Sequence, residues 1–194
     1  MKMVRTAAHS LFGTATIIAL SIAGAQAVGS KDAPAAAAPA SVSAEPQNTS
    51  ATYGDWVLHC TRNGDDPQAP RVCEVALPFQ AQGQQGPFAE LAIGHVNSKD
   101  PLRATVMMAL NVSFPSTIRL SLDDKDTQPA ELSWRFCVPT GCRADTELKD
   151  DTVKRWKAAT GNGQMQFKDA TGREITVPVS IRGLSQALDA LAKS

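Results

Sequence analysis

The sequence is poor in the features that most chemistry uses. It holds three histidines in 194 residues. No Cys-x-x-Cys is present, which removes thioredoxin-like redox chemistry. Gly-x-Ser-x-Gly and the glycine-rich phosphate loops are missing too, so neither a hydrolase nucleophile elbow nor a nucleotide site is indicated. Neither sign of charge is in excess, with 19 Lys and Arg against 19 Asp and Glu. Such a balance gives no support for nucleic-acid binding or for a polybasic membrane patch. Beyond residue 27 no apolar run approaches the roughly 20 residues needed to span a membrane.

The longest apolar stretch lies at the start. Lys2 and Arg5 precede a run from Leu11 to Ala25 built on Leu11, Phe12, Ile17, Ile18, Leu20 and Ile22. Ala25-Gln26-Ala27 then places small residues where a signal peptidase reads. The pattern predicts a Sec signal peptide over residues 1–27 and hence a periplasmic or secreted protein. No Cys follows the run, so a lipid anchor is not expected. Two of the 19 basic side chains and none of the acidic ones precede the cut, which leaves 17 against 19 beyond it. Residues 28–52 are mostly Ala, Pro and Ser, with Pro34, Pro39 and Pro46 interrupting any helix. They predict a disordered linker. Residues 53–194 are one domain's worth, long enough for a self-sufficient core.

Four cysteines lie in that domain, Cys60, Cys73, Cys137 and Cys142. An even count in an exported chain argues for two disulfides, and four cysteines allow three pairings. Local geometry favours Cys60–Cys73 across a polar loop and Cys137–Cys142 across Val-Pro-Thr-Gly, whose Pro139 and Gly141 suit a tight turn. The spacings are not those of a zinc site.

Period-two alternation marks strands over Tyr53–Cys60, Val72–Phe79, Phe88–Val96, Thr117–Leu122, Glu131–Val138, Cys142–Thr146, Gln164–Lys168 and Glu174–Ile181. The near-continuous apolar run Leu102–Leu110 reads as a central strand buried on both faces. One helix is expected from an N-cap at Asp150 or Asp151 to Gly161, a second over Leu184–Leu191. The fold class is mainly β: an antiparallel β-sandwich or barrel-like domain with two short helices.

Tyr53-Gly-Asp-Trp56, Cys60, Cys73, Arg135-Phe-Cys-Val-Pro-Thr-Gly-Cys-Arg-Ala144 and Pro178-Val-Ser-Ile-Arg-Gly-Leu184 together resemble the invasion-associated locus B family of exported proteobacterial proteins. The resemblance covers Tyr53 to Leu191. This chain departs from it at Phe136, where the family carries Arg, and at Leu184, where an aromatic is common. The resemblance implies a β-rich secreted, periplasmic or outer-membrane-associated protein without a known enzymatic activity, and it transfers no catalytic residues.

Other candidates read as structure. His59 beside Cys60 loses its thiolate to the disulfide. His95 follows Leu91 and Ile93 on one strand face and is expected to be half-buried and hydrogen-bonded. Asp123-Asp124-Lys125-Asp126 clusters carboxylates as calcium sites do, but reads as a solvated hairpin turn, as does Asp65-Asp66. Met107 and Met108, adjacent on a strand, point to opposite faces and do not form a copper site. Trp56, Trp134 and Trp156 are expected in the core. Gln80–Pro87 reads as a polar loop. No cofactor, metal or catalytic residue is assigned. The expected function is non-enzymatic, through surface contacts with an envelope or host-surface protein. The alternative is a periplasmic small-ligand binder or hydrolase with a cleft between sheets.

Overall fold

The structure, a computed structural model, describes residues 46–62, 69–97 and 99–194. The expected signal peptide, the linker as far as residue 45 and the Asp65-Asp66 pair lie outside them. The strands are β1 (Asn48–Tyr53), β2 (Trp56–Arg62), β3 (Arg71–Gln80), β4 (Pro87–Gly94), β5 (Arg103–Met108), β6 (Thr117–Ser121), β7 (Ala130–Val138), β8 (Gly141–Glu147), β9 (Gly163–Lys168) and β10 (Glu174–Val179). Two helices, α1 (Asp150–Lys157) and α2 (Leu184–Leu191), complete the domain. The strands form one antiparallel sheet in the order β1-β2-β3-β4-β5-β8-β7-β6-β9-β10, curled into a half-barrel.

Alternation decides which face is buried. Val75, Ile93 and Ala104 lie in one ladder row, and Leu77, Leu91 and Val106 in the next. All six are buried on the inner face. The run expected to be buried on both faces alternates like its neighbours: Ala104, Val106 and Met108 point inward, while Met107 is 37% exposed. Only one side of a single sheet can meet the core. Trp56 and Trp156 are fully or almost fully buried. Trp134 is half-buried, its ring 5.9 Å from that of Phe114.

The first predicted strand is instead a hairpin. Tyr53 pairs with Trp56 across Gly54-Asp55, and Gly54 has φ +60, as expected of glycine at the first central position of a two-residue hairpin loop. Strand β1 therefore begins at Asn48, inside the segment expected to be linker, because its backbone pairs with β2 from Asn48↔Thr61 to Tyr53↔Trp56. The strand carries no buried side chain, so no alternation advertised it.

Helix α1 is shorter than expected. Its N-cap is Lys149, with Asp150 and Asp151 in the first turn, where carboxylates suit the helix dipole. It ends at Lys157 because the next free N–H groups are taken elsewhere: Thr160 and Gly161 donate to Asp123 Oδ2 at 3.1 and 3.3 Å. Helix α2 buries Leu184, Ala187, Leu188 and Leu191 at helical spacing, and packs against β1, β2, β3 and α1.

A clasp joins the β1–β2 turn to the segment between β10 and α2. Asp55 N–H donates to Arg182 O at 3.0 Å, and Trp56 Nε1–H to Ser180 O at 2.9 Å. Ser180 Oγ and Arg182 Nε donate to Asp55 Oδ2 at 2.5 and 3.1 Å, and Arg182 Nη2 reaches Oδ1. The hydrogen bond from Arg182, then that from Ser180, holds the Asp55 carboxyl below the ordinary carboxylate range. The backbones touch: a Cβ on Gly183, which has φ +88, would stand 1.9 Å from Tyr53 O. The two ends of the chain's motif are thus one physical unit.

Candidate functional site: a charged groove on the outer sheet face

Three adjacent ladder rows cross the outer face. One runs His59–Glu74–Gly94–Arg103, the second Ala76–Ala92–Thr105–Asp145, and the third Glu90–Met107–Arg143–Phe136. Short side chains in the middle between long ones on either side furrow the surface. The resulting groove, about 460 Å³, has Ala92, Gly94 and Thr105 among its lining residues, and its volume is in the range of small-molecule sites. Gly94 permits the close approach of β4 to β3, since a Cβ there would lie 2.6 Å from Glu74 Cβ.

The charges on this face are segregated. Arg103 and Arg143 line the β5–β8 side, and Glu74 and Glu90 the β3–β4 side. Beneath the arginines Asp145, only 6% exposed, serves three guanidinium groups. Arg103 Nη2 donates to its Oδ1, Arg135 Nε donates to the same oxygen at 3.1 Å, and Arg143 Nε lies 3.4 Å from Oδ2. Burial alone would raise the Asp145 pKa. The hydrogen bonds from Arg103 and Arg135 outweigh it and hold the carboxyl below its usual range. Asp169, the other buried carboxylate, is by contrast spent on the β9–β10 turn, where it accepts from Thr171 Oγ1 at 2.6 Å and from the Thr171 and Arg173 N–H groups.

Glu74 and Glu90 make no ion pair among the described residues. Burial in the groove pushes the Glu74 pKa up, and the charge of Glu90 pushes it further, against the opposing pull of His59 and Arg143. An unneutralised carboxylate pair faces an arginine cluster that has more positive charge than Asp145 can balance.

At the end of the sheet where the β5–β6 loop and the β7–β8 turn lie, the groove gives way to apolar surface. Phe136 and Val138 stand 49% and 42% exposed on β7, with Leu110 and Phe114 exposed in the β5–β6 loop. Gly141 makes this turn possible, since a Cβ there would meet Met108 O at 2.5 Å.

The cysteines hold the flanks of the same sheet. Cys60 stands opposite Cys73 in the β2/β3 ladder, and Cys137 opposite Cys142 in the β7/β8 ladder. Both pairs are bonded, each with Cα atoms 4.0 Å apart. His59 points outward into the groove while Cys60 points inward, so the two do not form a dyad. His95 falls just after β4 and its Nδ1 lies 2.6 Å from Asp100 O. Met107 and Met108 separate to opposite faces. Asp123 folds its own loop, accepting from Lys125 N–H at 2.9 Å as well as from Thr160 and Gly161. These hydrogen bonds, the one from Lys125 N–H first, lower its pKa to about 2. Among the described residues no cluster of three His, Cys, Asp or Glu is placed to hold a metal, and no helix is long and apolar enough to cross a membrane.

Sequence reasoning missed Glu74, Glu90, Arg103, Arg143 and Asp145 as a group. Each is the polar member of an alternating strand and reads as ordinary solvent face. The available signal was small residues at 92 and 94 between charged ones, meaningful only once the register was known. The expected cleft between two sheets does not form, because the described residues make one sheet.

These features define a class: a disulfide-bridged β half-barrel clasped at its edges and charged on its outer face. A family model for the invasion associated locus B (IalB) protein matches residues 56–192, and the chain belongs to that family. Among solved structures, invasion associated protein B from Bartonella henselae shares the fold, with a TM-score of 0.61 at 19% identity over 75% of this chain and 95% of that one. No curated protein matches this chain.

Proposed function

We propose that this IalB-family chain is an exported protein of the bacterial envelope or secreted fraction that acts without catalysis, by surface contact with an envelope or host-surface protein. The observation that carries this reading is the apolar surface at one end of the sheet, where Phe136 and Val138 are exposed on β7 and Leu110 and Phe114 in the β5–β6 loop. Aromatic and aliphatic side chains gathered this way serve as interface anchors. The apolar run Leu11–Ala25, followed by the small residues of Ala25-Gln26-Ala27, supports export, and the two disulfides suit an oxidising compartment. The family name comes from a member linked to invasion, and a host-cell role for this chain belongs to the same proposal. A photo-crosslinking residue at position 136, used in the native envelope with mass spectrometry, tests it. A specific adduct that disappears with Val138→Asp is expected, and no adduct above background would overturn the reading.

A second reading, small-ligand binding, is favoured by one specific observation: two arginines and two glutamates, with His59 and His95, line a single groove of small-molecule size.

A further inference from the structure

The groove's poles narrow what it can bind. Glu74 and Arg103 share one ladder row and Glu90 and Arg143 another, and each pair is two strands apart. That places their backbones about 10 Å from one another. The side chains do not bridge this gap: neither glutamate forms an ion pair with either arginine. Arg103 and Arg143 are turned toward Asp145, and neither Glu74 nor Glu90 has an ion-pair partner among the described residues. Arg143 Nε has no hydrogen-bond partner among the described residues.

A simple anion entering the groove is attracted by the arginines and repelled by the glutamates. A simple cation meets the reverse. A molecule carrying both charges, correctly ordered, is attracted at both ends, and its charges replace neighbours that each pole lacks. Its carbon chain would cross Ala92, Gly94 and Thr105, which offer no bulk to block it, with Met107 as an apolar wall.

We propose that the outer-face groove is a binding site for a small zwitterion, an amino-acid-like molecule or short peptide, with its ammonium group between Glu74 and Glu90 and its carboxylate at Arg103 and Arg143. The proposal rests on the small-ligand reading of the groove and names its ligand class. It does not depend on the macromolecular contact at Phe136.

Three matched probes test it by titration of the purified protein, followed through backbone amide NMR shifts: ε-aminocaproate, caproate and hexylamine. The zwitterion is expected to saturate, to shift β3, β4, β5 and β8 amides, and to bind about tenfold tighter than either single ion, a difference of about 1.4 kcal/mol. Glu90→Gln should erase its advantage over caproate, and Arg143→Gln its advantage over hexylamine. Amide spectra of the unliganded variants check that both remain folded. Caproate or hexylamine binding in the groove as tightly as the zwitterion would overturn the ligand class and leave the groove reading standing. Failure of all three to saturate, or shifts centred elsewhere, would overturn both.

Discussion

Two aspartates in this domain meet arginine in different ways. Asp55 has one arginine and one serine, Arg182 and Ser180, and both of its oxygens are occupied. Asp145 has three arginines for one carboxylate. The first arrangement balances its charges and joins two turns. The second leaves positive charge over on the surface, facing two glutamates that make no ion pair among the described residues. Balanced charge is what a structural clasp needs, and unbalanced charge is what a binding surface keeps. The clasp coincides with the recognisable ends of the family motif, whereas the groove takes Arg143 from its central element and Glu74, Glu90 and Arg103 from strands outside the quoted residues.

The largest way to break the comparison is at the clasp's apolar root. Trp56→Ala removes a fully buried ring together with its hydrogen bond to Ser180 O. It should cost about 3–5 kcal/mol in urea denaturation and free the closing turn. A loss under about 1 kcal/mol would mean that the clasp is incidental.

Next in size is Asp145→Asn. It leaves three guanidinium groups without their shared carboxylate in a largely buried position, and should cost about 2 kcal/mol. Asp55→Asn acts at a more exposed pair and should cost at most about 1 kcal/mol. If Asp55→Asn proved the more damaging of the two, the assignment of structural and surplus charge would have to be exchanged.

The same pair predicts a pH dependence. Both carboxyls have folded-state pKa values below the ordinary range. Each therefore adds stability above its unfolded value, about 3.9, that is lost as pH falls through the lower folded value. The stability gap between wild type and either Asn variant should accordingly shrink below about pH 4. A gap unchanged down to strong acid would show that the carboxylate charge is not what stabilises these sites.

The smallest effect carries the opposite sign. Glu74 has a raised pKa in the folded protein, so its relative contribution is full below its unfolded value and lost as pH rises through the folded one. Glu74→Gln should therefore raise the thermal midpoint slightly at neutral pH, and the gain should vanish in acid. A lowered midpoint at neutral pH would mean that Glu74 has a stabilising partner.

Much of the fold was legible in the residues. Inner-face strands such as Val75-Ala-Leu77-Pro-Phe79 announce themselves by period-two burial, and α2 by leucines at helical spacing, because hydrophobic burial acts on local periodicity. Strand β1 was not legible: no side chain of Asn48–Tyr53 is fully buried, Tyr53 packs only partly against the core, and the strand's place beside β2 follows from backbone pairing. The early stop of α1 was hidden for a related reason, since it depends on Asp123, 37 residues earlier in the chain. The burial expected on both sides of β5 failed because an apolar composition does not say how many layers will cover it.

What the amino-acid order determined by itself was the β class, the alternating faces and the even set of cysteines, all consequences of local spacing and composition. Only the tertiary structure decided that one sheet curls instead of two stacking, and that Glu74, Glu90, Arg103 and Arg143 share one furrow over Ala92 and Gly94. Strand order and register arise from long-range pairing, and a side chain on a solvent face carries no record in its own strand of which charges its neighbours will place beside it.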